Sequence, residues 1–192
     1  MNDGRLIYLM GPSGAGKDSV LQGLQQRLDE SRQRIARRVI TRSAEAAGEE
    51  AVAVSSQAFA ALEAAGNFAM VWRANGLAYG IPGEIDTWLK QGYQVVVNGS
   101  REYLGEARRK YPTLVAVLLE VEPAILRARL LNRARESVDQ IEARLARSAA
   151  FAESDSLRDD PGILRLDNSA DLEATVKRLL DIIENPPAGK AT

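Results

Sequence analysis

The stretch Gly11-Pro12-Ser13-Gly14-Ala15-Gly16-Lys17-Asp18 constrains this chain more than any other. It completes the pattern G-x-x-x-x-G-K, and its surroundings fit a phosphate-binding loop. Leu6-Ile7-Tyr8-Leu9-Met10 before it is a short apolar run that reads as a buried parallel strand. Val20, Leu21, Leu24 and Leu28 after it recur at helical spacing and make one apolar face. Strand, glycine-rich turn and helix follow in that order. Glycines allow positive φ and close approach of backbone to ligand. Backbone N–H groups at the helix start then face an anion, and Lys17 can reach the terminal phosphates of a nucleoside triphosphate.

The position after the lysine normally holds Ser or Thr, whose hydroxyl ligates Mg²⁺. Here it is Asp18, and Ser19 follows one residue late. Two readings stand. Asp18 is a magnesium ligand, direct or through water, since hard cations favour oxygen donors. Alternatively, it is a first-turn carboxylate that complements the helix dipole. A carboxylate beside a triphosphate repels it unless a cation intervenes, which favours the metal.

Composition narrows the chemistry. The 192 residues suffice for one well-buried domain. A net charge of −1 makes no case for nucleic-acid binding, and no apolar stretch approaches membrane-spanning length. We expect a cytoplasmic protein without a signal peptide. There is no cysteine and no histidine, so disulfides, thiolate catalysis and the commonest general base are excluded. Phosphoryl transfer tolerates that loss, because it works mostly by positioning and charge neutralisation. It is easiest when the acceptor is itself a phosphate, already largely ionised near neutral pH, with a second pKa of about 6.

Along the chain, apolar runs alternate with helical periodicity. Strands are expected at 6–10, 38–41, 52–54, 69–73, 94–97, 114–121 and 163–166. Helices are expected at 17–28, 57–66, 83–91, 101–110, 124–132, 138–151 and 172–184. Ser137 and Gln140 have capping-box spacing, and Pro123 suits a first helical turn. The alternation predicts an α/β domain over residues 1–184, a three-layer P-loop fold with a parallel sheet core. Ligands in such sheets sit at the carboxyl ends of the strands. Residues 42–82 differ in texture and read as an insertion covering a second substrate. Residues 185–192 read as a disordered tail.

Arg127, Arg129, Arg133, Arg135, Arg144 and Arg147 cluster around two predicted helices and the joint between them. Such a cluster can form a lid, at about 127–147, that neutralises transferring charge. Taken singly, each arginine fits equally well as an ion-pair partner of Glu136 or Glu142. Thr41-Arg42 ends a predicted strand, where a guanidinium could meet a phosphorylated acceptor or merely block an edge. Asn75-Gly76 marks a hairpin turn within 73–80. Tyr79 beyond it suits a phosphate contact or half-buried packing. Asn98-Gly99-Ser100-Arg101 follows a strand and suits a substrate floor or an ordinary turn; Asp167-Asn168-Ser169 repeats that placement.

Taken together, the loop 11–17, Thr41-Arg42, Gly48-Glu49, Tyr79-Gly80 and Arg133/Arg135 followed by Arg144 resemble guanylate-kinase-like nucleoside monophosphate kinases. Within that group the chain more closely resembles the ribose 1,5-bisphosphate phosphokinase family, from about Arg5 to Ile183. The most specific pieces are Gly16-Lys17-Asp18-Ser19, Ala74-Asn75-Gly76-Leu77 with Tyr79-Gly80, Glu84-Ile85-Asp86-x-Trp88-Leu89, and Val97-Asn98-Gly99-Ser100-Arg101.

The resemblance implies transfer of the γ-phosphoryl of ATP, with Mg²⁺, to ribose 1,5-bisphosphate, giving 5-phosphoribosyl 1-diphosphate in phosphonate catabolism. It implies an ATP site at Gly11, Pro12, Ser13, Gly14, Ala15, Gly16, Lys17, Asp18 and Ser19. Lys17, Arg133, Arg135 and Arg144 would be catalytic, and Asp18 would help position the metal. Arg42, Tyr79, Asn98 and Arg101 would face the acceptor. Departures from guanylate kinase point the same way. The tyrosine-rich stretch is replaced by Ala51-Val52-Ala53-Val54, Ile81 stands where Thr or Ser helps read guanine, and Asn98 stands for an Asp. A site stripped of its polar contacts to guanine should accept GMP poorly. The alternatives are a nucleoside monophosphate kinase and a catalytically inactive binding module. Oligomeric state stays open, with a homodimer among the assemblies allowed.

Overall fold

The computed structural model describes residues 4–41, 51–132, 137–152 and 155–186. Its centre is a five-stranded, wholly parallel sheet of β1 (Arg5–Met10), β2 (Gln33–Ile35), β7 (Gln94–Asn98), β8 (Val115–Glu120) and β9 (Ile163–Asp167). The spatial order is β2-β7-β1-β8-β9. The apolar runs of β1, β7 and β8 are buried on both faces, which is why they show no polar alternation. Ile7, Leu9, Val96, Val117 and Leu119 face one core. Against it pack α1 (Lys17–Gln25) and α8 (Leu172–Glu184), through Val20, Leu21 and Leu24 on one helix and Val176, Leu179 and Ile183 on the other. Asp171 caps α8 by accepting the Glu173 N–H at 3.0 Å.

Leu6, Tyr8, Met10, Val95 and Val97 face the opposite core. That core is shared with a second sheet of order β4-β3-β6-β5: β4 (Ala51–Ala53), β3 (Arg38–Ile40), β6 (Leu77–Pro82) and β5 (Phe68–Ala74). Met70, Trp72 and Ile81 are its buried contribution. The expected hairpin is present. Asn75 (φ 52°) and Gly76 (φ 75°) are both left-handed, as the tight turn between β5 and β6 requires. Helix α2 (Ser56–Ala64) lays Phe59 on Phe68, with ring centroids 4.8 Å apart. The remaining helices are α3 (Glu84–Lys90), α4 (Leu104–Lys110), α5 (Pro123–Asn132), α6 (Val138–Ala152) and the short α7 (Asp155–Arg158).

Two strands correct the sequence reading. β2 was not expected, because Gln-Arg-Ile offers no apolar run. It forms because β7 presents a free edge, and Gln33 is buried with its side chain accepting the Asp29 N–H at 3.0 Å. β3 was expected as a strand of the parallel sheet. It lies instead in the interior of the second sheet, parallel to β4 and antiparallel to β6. Thr41 therefore does not sit at the carboxyl edge of the central sheet. Its hydroxyl accepts the Ala78 N–H at 2.8 Å, joining β3 to β6. The strand that leads to Thr41 is an inner one, so its end does not block a sheet edge.

Candidate active site

The loop between β1 and α1 is shaped by two left-handed glycines, Gly14 at φ 89° and Gly16 at φ 90°. Gly16 caps α1 with no side-chain hydrogen bond, so the N–H groups of the first turn are left to the loop's concave side. Lys17 folds back across the loop. Its ammonium donates to the carbonyls of Gly11 at 2.8 Å and Pro12 at 3.1 Å, which holds the charge over the phosphate cradle.

A second layer supports the loop from β9. Asn168, buried just past that strand, donates its amide to the carbonyl of Ala15 at 2.7 Å. Arg129 of α5 donates to the carbonyl of Asn168 at 2.8 Å. A Cβ on Gly16 would fall 2.6 Å from the Asn168 amide nitrogen, so backbone angle and close approach both demand glycine there. Beside this support lies a cleft of about 320 Å³ lined by Gly14, Gly16, Ser19, Arg129 and Asn168. One Arg129 guanidinium nitrogen and the Asn168 side-chain oxygen are buried there without a hydrogen-bond partner among the described residues.

The arginine cluster divides into distinct roles. Ser137 and Gln140 form the expected capping box, through Ser137 N–H to Gln140 at 2.9 Å and Gln140 N–H to Ser137 at 3.3 Å. It starts α6, which carries Arg144. The Arg144 guanidinium donates to the Ser13 hydroxyl at 3.0 Å, so an arginine of α6 reaches the phosphate loop directly. Arg127 pairs with Glu142 at 2.6 Å and is an ordinary surface ion pair. Arg147 is exposed on α6. Arg42, Gly48, Glu49, Arg133 and Arg135 lie outside the described residues.

On the opposite side of the loop, β7 ends at Asn98, in register with Leu9 of β1. Asn98 is buried and its amide lies 3.5 Å from the exposed Asp18 carboxylate, at the limit of a hydrogen bond. Among the described residues no group of three or more acidic side chains gathers as a metal cage. A single carboxylate beside the loop still fits Mg²⁺, which keeps waters and draws further oxygens from substrate phosphates. Arg101 follows in the turn before α4. It was expected to open that helix, which starts three residues later, at Leu104. Burial draws the Arg101 guanidinium below its ordinary pKa, opposed by the charge of Glu102. It remains a cation, since arginine does not deprotonate in proteins.

Tyr79 sits in a stack. Arg38 lies over its ring at 5.0 Å, and Trp72 stacks beneath at 5.5 Å with an interplanar angle of 5°. Trp72 in turn leans on Tyr103 at 5.7 Å. The packing role open to Tyr79 is thus present in the structure. The supporting roles of Asn168 and Arg129 were not expected: Arg129 was read only as one of the lid arginines, and Asn168 only as part of a turn after a strand. The placement of Asn168 after a strand was the one available signal for it.

No family model matches the chain. Named relatives do. The chain is 61% identical over 177 residues to the ribose 1,5-bisphosphate phosphokinase PhnN of Pseudomonas paraeruginosa, covering 92% of this chain and 94% of that one. It is 56% identical to the PhnN of Azotobacter vinelandii, covering 94% and 96%. With the PhnN of Thiobacillus denitrificans it shares 42% identity, covering 99% and 98%. Among solved structures, guanylate kinase from Anaplasma phagocytophilum superposes with a TM-score of 0.66 at 18% identity, over 96% of this chain and 86% of that one. A sugar kinase from Janibacter sp. superposes with a TM-score of 0.53 at 17% identity, over 98% and 99%. These two show the fold: a guanylate-kinase-like α/β architecture.

Proposed function

The chain belongs to the ribose 1,5-bisphosphate phosphokinase family, a family of kinases, and from that premise we propose that it phosphorylates ribose 1,5-bisphosphate with ATP. An oxygen of the C1 phosphate attacks the γ-phosphorus of ATP. A new P–O bond forms, the bond to the β-phosphate oxygen breaks, and ADP leaves. The product is 5-phosphoribosyl 1-diphosphate, formed in the cytoplasm during phosphonate catabolism.

One observation supports this most. The loop for the donor phosphates and the Asn98–Arg101 turn leave neighbouring strands, β1 and β7, at the same edge of the sheet. Donor and acceptor would meet there. Lys17 and the N-terminal amides of α1 would hold the β- and γ-phosphates. Arg144, already against Ser13, would close over the transferring group. The cleft beside Arg129 and Asn168 would take the nucleoside end of the donor. Asp18 would hold Mg²⁺ directly or through water, and the ion when bound would neutralise charge on the phosphates. Arg101 and Asn98, with Arg42 and Tyr79, would face the acceptor. An ionised phosphate needs no general base, which matches the lack of histidine. Arg133 and Arg135 complete the lid in this reading.

The test is ADP release with ribose 1,5-bisphosphate, GMP and AMP offered in turn. Turnover of the sugar bisphosphate at least roughly a hundredfold more efficient than that of GMP is expected, since a site without its polar partners discriminates by that order or more. Efficient turnover of GMP with none of the sugar bisphosphate would overturn the proposal.

A further inference from the structure

The strand that delivers the phosphate loop also grips the turn opposite, through one side chain. Tyr8 of β1 is fully buried, on the face it shares with Leu6 and Met10. Its phenol donates to the carbonyl of Ser100 at 2.9 Å and accepts the N–H of the same residue at 3.0 Å. One hydroxyl thus satisfies both backbone polar groups of Ser100. The ring lies against Gly99, where an added Cβ would fall 2.1 Å from the ring's Cζ, so only glycine admits it. Burial pushes the phenol well above its ordinary pKa, and it stays a protonated donor.

Phenylalanine would fill the same space in this core, so the hydroxyl is needed for the turn and not for packing. Met10, two residues after Tyr8, leads straight into Gly11. Asn98 and Arg101 flank the gripped residues. A single strand therefore sets two things at once: where the phosphate loop begins and where the Asn98–Arg101 turn stands. Phosphoryl transfer depends on such registration, because a displacement of about 1 Å can cost roughly a hundredfold in rate.

We propose that Tyr8 is a positioning residue that holds the Asn98–Arg101 turn at a set distance from the phosphate loop, and so aligns acceptor with donor. This rests on the reading that the turn faces the acceptor.

The test compares Tyr8→Phe with Tyr111→Phe, a matched loss of a hydroxyl that donates to Asp86 at 2.6 Å elsewhere in the fold. The acceptor is whichever of ribose 1,5-bisphosphate, GMP or AMP the wild-type enzyme uses best. A wrong substrate assignment then leaves the Tyr8 comparison intact. Tyr8→Phe is expected to lower kcat/KM for the acceptor by roughly ten- to a hundredfold. Nucleotide binding should stay within about twofold of wild type, and Tyr111→Phe should change neither. Gly99→Ala, which drives the turn off the ring, should show the same selective loss. The proposal is overturned if Tyr8→Phe matches Tyr111→Phe, or if donor binding and acceptor turnover fall together. It is also overturned if Tyr8→Phe fails to fold, since the hydroxyl would then serve the fold as a whole.

Discussion

The two sides of the catalytic edge are built from different materials. The phosphate loop is mostly backbone: two left-handed glycines, the N-terminal amides of α1, and a lysine held by carbonyls. The side around the second sheet is mostly side chain: the Arg38–Tyr79–Trp72–Tyr103 stack and the half-buried Arg101. Backbone recognition is insensitive to most substitutions but fails wherever glycine is lost. Side-chain recognition can be rewritten residue by residue. A shared scaffold can therefore keep one site while another changes, since fold does not fix function.

The sharpest break in that comparison is Lys17→Met. It removes the loop's own charged side chain, and kcat should fall by roughly 10²–10³-fold or more with little change in Tm. A loss below about tenfold in steady-state turnover would mean that the amides alone suffice. Arg144→Ala comes next. Lid arginines on transferring phosphoryl groups contribute up to about 10³–10⁵ in rate where they act alone. Here Lys17 and the amides share the charge, and we expect about a hundredfold loss in kcat with ATP binding less affected.

Asp18→Ala should cut Mg²⁺-dependent turnover by about ten- to a hundredfold and raise the Mg²⁺ needed for half-maximal rate, while thermal stability barely moves. If a Mg²⁺ titration of the variant overlays the wild type, Asp18 is only a helix-terminus charge. The smallest effect tests the acceptor side. Tyr79→Phe keeps the stack and should change acceptor KM by no more than about threefold, within what loss of one exposed neutral hydrogen bond brings. A larger rise would show that the hydroxyl, and not only the ring, engages the substrate.

Much of the fold was legible because its signals are local. The apolar run of 6–10, the helical spacing after Lys17, the capping box at Ser137 and Gln140, and the Asn75-Gly76 turn each involve residues within a few positions of one another. Helix α8 runs from Leu172 to Glu184 as its periodicity predicts. The phosphate loop belongs here too, since glycine φ angles and a helix N-terminus are properties of contiguous chain. What was not legible depends on partners far away. A strand's sheet is decided by its neighbour, so Arg38–Ile40 went to β6 and Gln33–Ile35 to β7, against the order that apolar content suggests.

The arginines teach the same lesson. In sequence, Arg127, Arg129, Arg144 and Arg147 are alike, each equally able to pair with a carboxylate or face a phosphate. The fold puts Arg127 beside Glu142, Arg129 behind Asn168 and Arg144 on Ser13, and leaves Arg147 exposed. Sequence alone determined the phosphate-binding loop, because eight contiguous residues build that cradle from their own backbone. Only tertiary structure decided which arginine reaches that loop and which tyrosine holds the opposite turn. Those choices rest on contacts between residues 131 and 92 positions apart, Arg144 with Ser13 and Tyr8 with Ser100, whose meeting no local propensity encodes.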